Sequence, residues 1–270
     1  MNRLIQSVAS SLALATATFA PFLPSEGVKA QICENTSTMT NATFATTYPD
    51  GCSATPERYS ITIYEMGLCT SNPISGGSLD RTTCATTFES SGGQTVDLAG
   101  STSITLDESN ATRPPSDTYT YGYMVMSNTF GLRGSLETSE TTWVSDGTDF
   151  NGGVNVKSSG SAANFNDTLT NFDPGFGCLS SGYADMSLGR MSAILTDSTL
   201  NEATNCTGVS RLVGAFAPTS AYSITDDSSA LKITFHVTNN GLGVETMGAP
   251  NPGVAAMASG PFQMEITVIE

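Results

Sequence analysis

The sequence predicts an all-β fold, built as an antiparallel β-sandwich with long loops. Apolar and polar residues alternate in many short runs, which is the period of a strand with one buried face. Gly, Pro, Asn, Asp and Ser separate these runs, and few windows have a helical period. Many short strands with this punctuation favour a sandwich of the immunoglobulin-like or jelly-roll type.

The predicted strands in the first half of the chain begin at residues 59–66. There Tyr59, Ile61 and Ile63 fall on one face of the strand. The run 118–128 is longer and is apolar on both faces after its glycine, as expected of a strand at the centre of a sheet. Further strands are predicted at 82–88, 94–98 and 101–106, and a hairpin at 132–138 and 141–144.

The second half of the chain gives a weaker pattern. Residues 146–205 are rich in Gly, Ser, Asn and Asp, and they predict short strands, one helical turn and long loops. Within them, residues 183–195 suit a helix or alternating strands equally well. Residues 241–260 read as a loop, and strands are predicted at 208–216, 231–238 and 262–269.

The first thirty residues have the layout of a secretory signal peptide. A basic Arg3 precedes an apolar run, and Val28-Lys29-Ala30 forms a small-x-small cleavage site. We therefore expect cleavage after Ala30 and a single sandwich body over residues 31–270, with two lobes, 31–145 and 146–270, as the alternative. No second apolar segment follows, so no transmembrane segment is expected after cleavage. The expected location is outside the cell or on its surface, in a bacterium.

The cysteines indicate disulfides. All six lie beyond the predicted signal peptide, and an even number in an exported chain favours pairing. Fifteen pairings are possible for six cysteines, and the spacing favours neighbours along the chain. No C-x-x-C motif is present and the sequence has one histidine, which disfavours a zinc site. The favoured pairs are Cys33 with Cys52, Cys69 with Cys84 and Cys178 with Cys206.

Charge and composition exclude some classes of function. The formal net charge is −15, and the lysines and arginines form no cluster, which argues against nucleic acid as a partner. His236 is the sole histidine, and the alternation places it on the polar side of its strand with Lys232 and Thr234. That placement disfavours a Ser-His-Asp site. The chain is therefore expected not to be an enzyme, with a secreted hydrolase as the least favoured reading.

Two groups of residues are candidate binding sites. Tyr119, Tyr121 and Tyr123 alternate along one predicted strand, and with Trp143 they could form an aromatic platform for sugar rings. The competing interpretation is that the tyrosine row faces the core with its hydroxyls at the rim.

Calcium is a possible cofactor, because oxygen ligands for a hard cation cluster in one predicted loop. Those ligands are Asp146, Asp149 and Asn151.

A family resemblance covers residues 59–127. The strand ITIYEMGLC is followed by a variable loop, then by TVDLAG, SITL and PPSDTYTYGYMVM. This order resembles the prealbumin-like and Cna-B-like sandwich modules of exported bacterial surface proteins, where a vDL strand precedes an lppGtYtv turn. This chain has Asp117 where the module has glycine. It has no lysine between residues 59 and 127, so the isopeptide bond of some such modules is not expected. The resemblance implies an immunoglobulin-like surface module.

The expected function is structural or adhesive, as a subunit of a filament, layer or matrix. The last strand is apolar on one face and needs a pairing partner, either within the chain or in a second subunit. The expected partners are copies of this chain, other surface proteins or glycans. The alternative function is that of a secreted carbohydrate-binding module.

Overall fold

The structure, a computed structural model, describes residues 31–74, 77–99, 108–150, 153–172 and 177–270. Within these ranges the chain forms eighteen strands, one short α-helix and two short 3-10 turns. All strand ladders are antiparallel, so the predicted all-β antiparallel class is confirmed. The predicted signal peptide, residues 1–30, and the predicted strand 101–106 lie outside the described residues.

The first large sheet has six strands. Their spatial order is β1, β16, β17, β9, β8 and β7. The strands are β1 (Cys52–Ala54), β7 (Ser135–Glu137), β8 (Thr142–Phe150), β9 (Gly153–Lys157), β16 (Leu242–Met247) and β17 (Gly253–Ser259). β7 and β8 form the predicted hairpin, closed by a backbone hydrogen bond from Thr138 N to Thr141 O.

The second large sheet has eight strands. The path runs β10, β6, β2, β5, β13, β12 and β11, and β3 pairs with β2 beside this path. The strands are β2 (Arg58–Cys69), β3 (Cys84–Asp97), β5 (Tyr121–Ser127), β6 (Thr129–Arg133), β10 (Phe165–Thr168), β11 (Ser181–Met186), β12 (Gly189–Thr196) and β13 (Arg211–Pro218). β5 lies between β2 and β13, and its residues 122–126 are all buried, which confirms the predicted central strand.

Two ribbons of two strands each complete the β structure. One pairs β4 (Asp117–Tyr119) with β14 (Tyr222–Ile224), and the other pairs β15 (Ala230–His236) with β18 (Gln263–Ile269). The last strand therefore finds a partner within its own chain. Its residues Met264 and Ile266 lie against Gly122 of β5, which leaves room for them because it has no Cβ.

The segment before β1 is folded onto the six-stranded sheet. A 3-10 turn (Thr36–Thr38) precedes α1 (Asn41–Thr47), whose first turn is capped by the Thr40 hydroxyl, which accepts from Thr43 N. The helix buries Phe44 and Ala45, and a backbone hydrogen bond joins Cys33 N to Ser53 O. The second 3-10 turn is Glu108–Asn110. No helix of the described residues has the length and apolar character needed to cross a membrane.

One main core joins both large sheets and both ribbons. Strand β2 contributes the predicted face of Tyr59, Ile61 and Ile63, each at most 1% exposed. After a register shift between Ile63 and Glu65, Met66 and Leu68 continue this face, while Glu65 points to the opposite face of the sheet and is also buried. Strands from 31–145 and from 146–270 pair with each other in both large sheets, and β8 crosses the boundary between the two ranges.

The strand pattern corrects two expectations from the sequence and decides between the two alternatives for a third segment. Residues 241–260, predicted as a loop, form β16 and β17, and Pro250 and Pro252 are confined to the turn region between them. Residues 118–128 form two strands, because the backbone N–H of Thr120 bonds to Cys69 O where the chain passes from the ribbon to the sheet. Residues 183–195 contain no helix and belong to the β11–β12 hairpin.

All three favoured disulfides are present. Cys33 bonds to Cys52, Cys69 to Cys84 and Cys178 to Cys206. The first joins the segment before β1 to β1, the second joins the paired ends of β2 and β3, and the third joins the segments that precede β11 and follow β12. Because the bonded cysteines are 15 to 28 residues apart, each bond removes considerable loop entropy from the unfolded chain.

Candidate functional site

The structure divides the predicted tyrosine row between two hydrophobic clusters. Tyr119 is 3% exposed and packs in the main core, where its hydroxyl donates to Pro115 O. Tyr123 is fully buried in a smaller cluster on the outer face of the eight-stranded sheet, and Tyr121 borders that cluster partly exposed. The strand break at Thr120 separates the two environments. Only Tyr121 of this row is available to a ligand.

Trp143 does not join the tyrosines. It lies on β8 in the other sheet, partly buried against the main core, and its indole N–H donates to Asn41 Oδ1 at 3.3 Å. Its ring also packs so closely on Gly253 that a Cβ there would lie 2.4 Å from it. The four-residue aromatic platform predicted from the sequence is therefore not assembled.

A different aromatic group is assembled on the outer face of the eight-stranded sheet. Tyr183 of β11 is 41% exposed, and the guanidinium of Arg190 lies 4.9 Å from its ring centroid. The same guanidinium donates to both carboxylate oxygens of Asp185, with Nε 2.6 Å from Oδ1. We call Tyr121, Tyr183, Asp185 and Arg190 the outer tyrosine patch.

The strand register explains how the outer tyrosine patch forms. Asp185 of β11 lies directly opposite Arg190 of β12, and Arg190 lies opposite Ala217 of β13. Ala217 follows Phe216, and Phe216 is the register partner of Gly122 on β5. Tyr121, which precedes Gly122, therefore lies next to Ala217 on the side away from Arg190. The carboxylate of Asp185, followed by Tyr183 and Tyr121, raises the pKa of Arg190. The result is a bidentate ion pair, with the exposed Tyr183 ring next to its guanidinium and the partly exposed Tyr121 across Ala217.

A buried polar network lies on the same outer face, on the β2 side of β5. Glu65 is 8% exposed and accepts hydrogen bonds from Arg81 Nε at 2.6 Å, from Arg81 Nη2, and from the Tyr123 hydroxyl at 2.6 Å. Burial alone would raise the pKa of Glu65, but these hydrogen bonds and the charge of Arg81 outweigh it and hold the pKa below its usual value. Gly67 leaves space for the Tyr123 ring, since a Cβ there would lie 2.4 Å from it. The network joins the loop closed by the Cys69–Cys84 bond to the sheet.

His236 forms a pair with a carboxylate on the neighbouring strand. Its Nε2 lies 3.0 Å from Glu265 Oε2, and both side chains are more than 40% exposed. The predicted placement on the polar side of β15 agrees with this position. An exposed pair of this kind is an ordinary cross-strand contact between neighbouring strands.

The predicted calcium ligands are only partly described. Asp146 Oδ1 accepts from Thr148 N and from Thr148 Oγ1, which is a local turn of the Asp-x-Thr kind. Asp197 and Thr199 form the same turn. Asn151 and the side chain of Asp149 lie outside the described residues. Among the residues that are described, no group of three or more His, Cys, Asp or Glu is placed to hold a metal ion.

Sequence reasoning did not find Tyr183, Asp185, Arg190 or the pair Glu65 and Arg81. The sequence places Tyr183 and Asp185 on one face if residues 183–195 form strands. Because a helix suits the same residues equally well, the sequence alone does not predict this shared face. Arg190 joins them only through the β11–β12 turn, which places residues from opposite sides of the hairpin together. For Glu65, the signal is an acidic residue next to the apolar end of β2, before Met66 and Leu68.

Comparison with known proteins returns no relative. No protein-family model, no curated protein and no solved structure matches this chain.

Proposed function

We propose that this chain is an exported, non-enzymatic structural or adhesive protein of the cell surface or extracellular space. The observation that carries the proposal is the way in which the loops are held. The three disulfides fix the segment before β1, the loop 70–83 and the segments around β11 and β12. Such bonds persist in oxidising compartments. Permanently held loops suit a protein that presents a fixed surface rather than one that opens and closes around a substrate.

Self-association is expected to depend on salt. With a net charge of −15, copies of the chain repel one another at low ionic strength. We expect light scattering of the disulfide-bonded secreted protein to show larger species in about 0.3 M than in about 0.02 M sodium chloride, since salt screens this repulsion. Negative-stain microscopy of the same samples shows whether these species are filaments or layers. A protein that stays monomeric at both salt concentrations and with added calcium would exclude the filament role.

Carbohydrate binding is the second candidate, and the outer tyrosine patch favours it. Tyrosine rings offer apolar faces for the C–H groups of a sugar, and a planar Arg–Asp pair offers donors and acceptors for hydroxyls. The patch lies on a sheet rather than a loop, so its residues are held in place without a ligand.

If this second candidate is correct, the affinity for a glycan is expected to fall at least about tenfold in Tyr183→Ala. A decrease of this size corresponds to the loss of roughly one contact between a sugar and an aromatic ring. Tyr64→Ala is the matched control, because Tyr64 is an aromatic residue of the same sheet under Arg211, 3.9 Å from its ring centroid. A glycan array followed by calorimetry on the best sugar measures both variants. Equal affinity in wild type and Tyr183→Ala, or equal losses in both variants, would remove the patch as the site.

A further inference from the structure

The two ribbons leave an open cleft between them. β14 pairs with β4 on one edge and β18 pairs with β15 on one edge. In the part of the chain that is described, β14 and β18 approach each other without forming a strand ladder. The cleft has a volume of about 430 Å³. It is lined by Tyr222 and Ser223 of β14, residues 265–268 of β18, Pro218 at the end of β13 and the connecting residues 219–221.

The cleft walls have the features of a site for an extended backbone. A strand that is paired on one edge presents the N–H and C=O groups of its other edge, and an added strand can bond to them. Four residues of β18 line the cleft, a length of about 13 Å at the rise of a strand. Leu188, Phe216 and Ile266 supply apolar surface for alternate side chains of a bound segment.

Tyr222, one of the residues that line the cleft, has an unpaired hydroxyl. Tyr222 is 7% exposed, and its hydroxyl is buried with no hydrogen-bond partner in the described structure. Burial, followed by the nearby charge of Glu265, raises the pKa of Tyr222, so the hydroxyl keeps its proton and is a donor in need of an acceptor. Leaving such a donor unpaired is costly. A carbonyl of an incoming segment would supply the acceptor once the Tyr222 side chain turns toward the cleft.

The charge of the cleft selects among possible segments. Glu265 is the charged side chain among the described residues that line it, and its neighbour across the ribbon is His236. The whole chain carries a net charge of −15, which repels acidic ligands and attracts basic ones. A second copy of this chain brings the same negative charge and is disfavoured for that reason.

We propose that this cleft binds an extended basic peptide segment of a partner protein, which lies as an added strand along the free edge of β18. Its backbone pairs with β18, and the Tyr222 side chain turns so that its hydroxyl donates to a carbonyl of the segment. A lysine or arginine of the segment contacts Glu265. The site is separate from the outer tyrosine patch and does not depend on the proposed structural role.

The test uses a labelled peptide, acetyl-Thr-Val-Lys-Val-Thr-Val-amide, and its twin with glutamate in place of lysine. Fluorescence anisotropy with the disulfide-bonded secreted protein is expected to show that the lysine peptide binds about fivefold more tightly than the glutamate peptide. Glu265→Lys is expected to reverse this order. Glu137→Lys, the same charge change on the exposed edge strand β7, is expected to preserve it. No binding of either peptide at about millimolar concentration, or equal effects of both variants, would overturn the proposal.

Tyr222→Phe separates binding from folding. Because the hydroxyl has no partner in the free protein, its removal is expected to leave the melting temperature unchanged or higher while peptide affinity falls about 3- to 10-fold. Hydrogen exchange locates the bound peptide, which should protect amides of β18. Unchanged affinity in Tyr222→Phe, or protection confined to another strand, contradicts the proposal. Protection of β18 that grows with protein concentration alone would show that a second copy of the chain occupies the cleft, and it would overturn the basic partner.

Discussion

Replacing Glu65 with alanine is expected to lower the free energy of unfolding by about 2 to 4 kcal/mol at neutral pH. The carboxylate is 8% exposed and accepts from Arg81 and from the hydroxyl of Tyr123. Its removal deprives the buried Tyr123 hydroxyl of its charged partner and leaves a cavity beneath the loop closed by Cys69 and Cys84. Hydrogen bonds to a charged group are among the stronger ones in proteins, which is why the expected loss is large.

Glu57→Ala is the control for this effect. Glu57 also forms an ion pair with an arginine, since its Oε2 lies 3.1 Å from Arg133 Nε. In this pair, however, each of the two side chains is 40% exposed. An exposed pair contributes little, so the expected loss is at most about 1 kcal/mol. Urea unfolding with the disulfides intact measures both variants. Equal losses would mean that burial of the network around Glu65 contributes nothing.

The pH dependence gives a second test of Glu65. Because the folded-state pKa of Glu65 lies below the unfolded value of 4.5, ionised Glu65 stabilises the fold above that pH. This contribution is lost as the pH falls through the folded-state pKa. The difference between wild type and Glu65→Ala is therefore expected to shrink between pH 7 and about pH 3. A difference that is the same at both pH values would contradict the assignment.

The sequence predicts best the strands whose side chains alternate between the core and the surface. β18 and the first half of β2 show alternating burial, so a period of two is visible in the sequence, whereas β5 is buried on both faces and forms a continuous apolar run. The disulfides were favoured by spacing because each bond closes a short loop. In contrast, β17 was missed because its buried positions include Ala256 and Ala258, small residues that carry little strand signal.

The site was less predictable than the fold for a geometric reason. Sequence alternation indicates which residues of one strand share a face, but the outer tyrosine patch combines residues of β5, β11 and β12. Their meeting depends on the register between β12 and β13, which places Arg190 opposite Ala217. Tyr121 was identified as a candidate from its own strand, whereas Trp143 was assigned to it across two sheets with no register to support the pairing. The cleft between the ribbons is formed by residues about forty positions apart, from Tyr222 to Glu265.

Glu245→Gln is expected to stabilise the protein by about 1 to 3 kcal/mol at pH 8 and to have little effect at pH 4. Glu245 is partly buried on β16, and this burial raises its pKa to about 7 from an unfolded value of 4.5. The folded state therefore binds more protons than the unfolded state between these two values, so stability falls as pH rises through that window.

Burial also raises the pKa of Asp167, although the hydrogen bonds from Ser259 act to lower it. The dependence of wild-type stability on pH therefore combines Glu245 and Asp167, which both lower stability as the pH rises. The difference between wild type and Glu245→Gln isolates Glu245, and Glu137→Gln on the exposed edge strand should change stability at neither pH. A gain of equal size at pH 4 and pH 8 would show that glutamine improves packing and that the charge of Glu245 is not the cause.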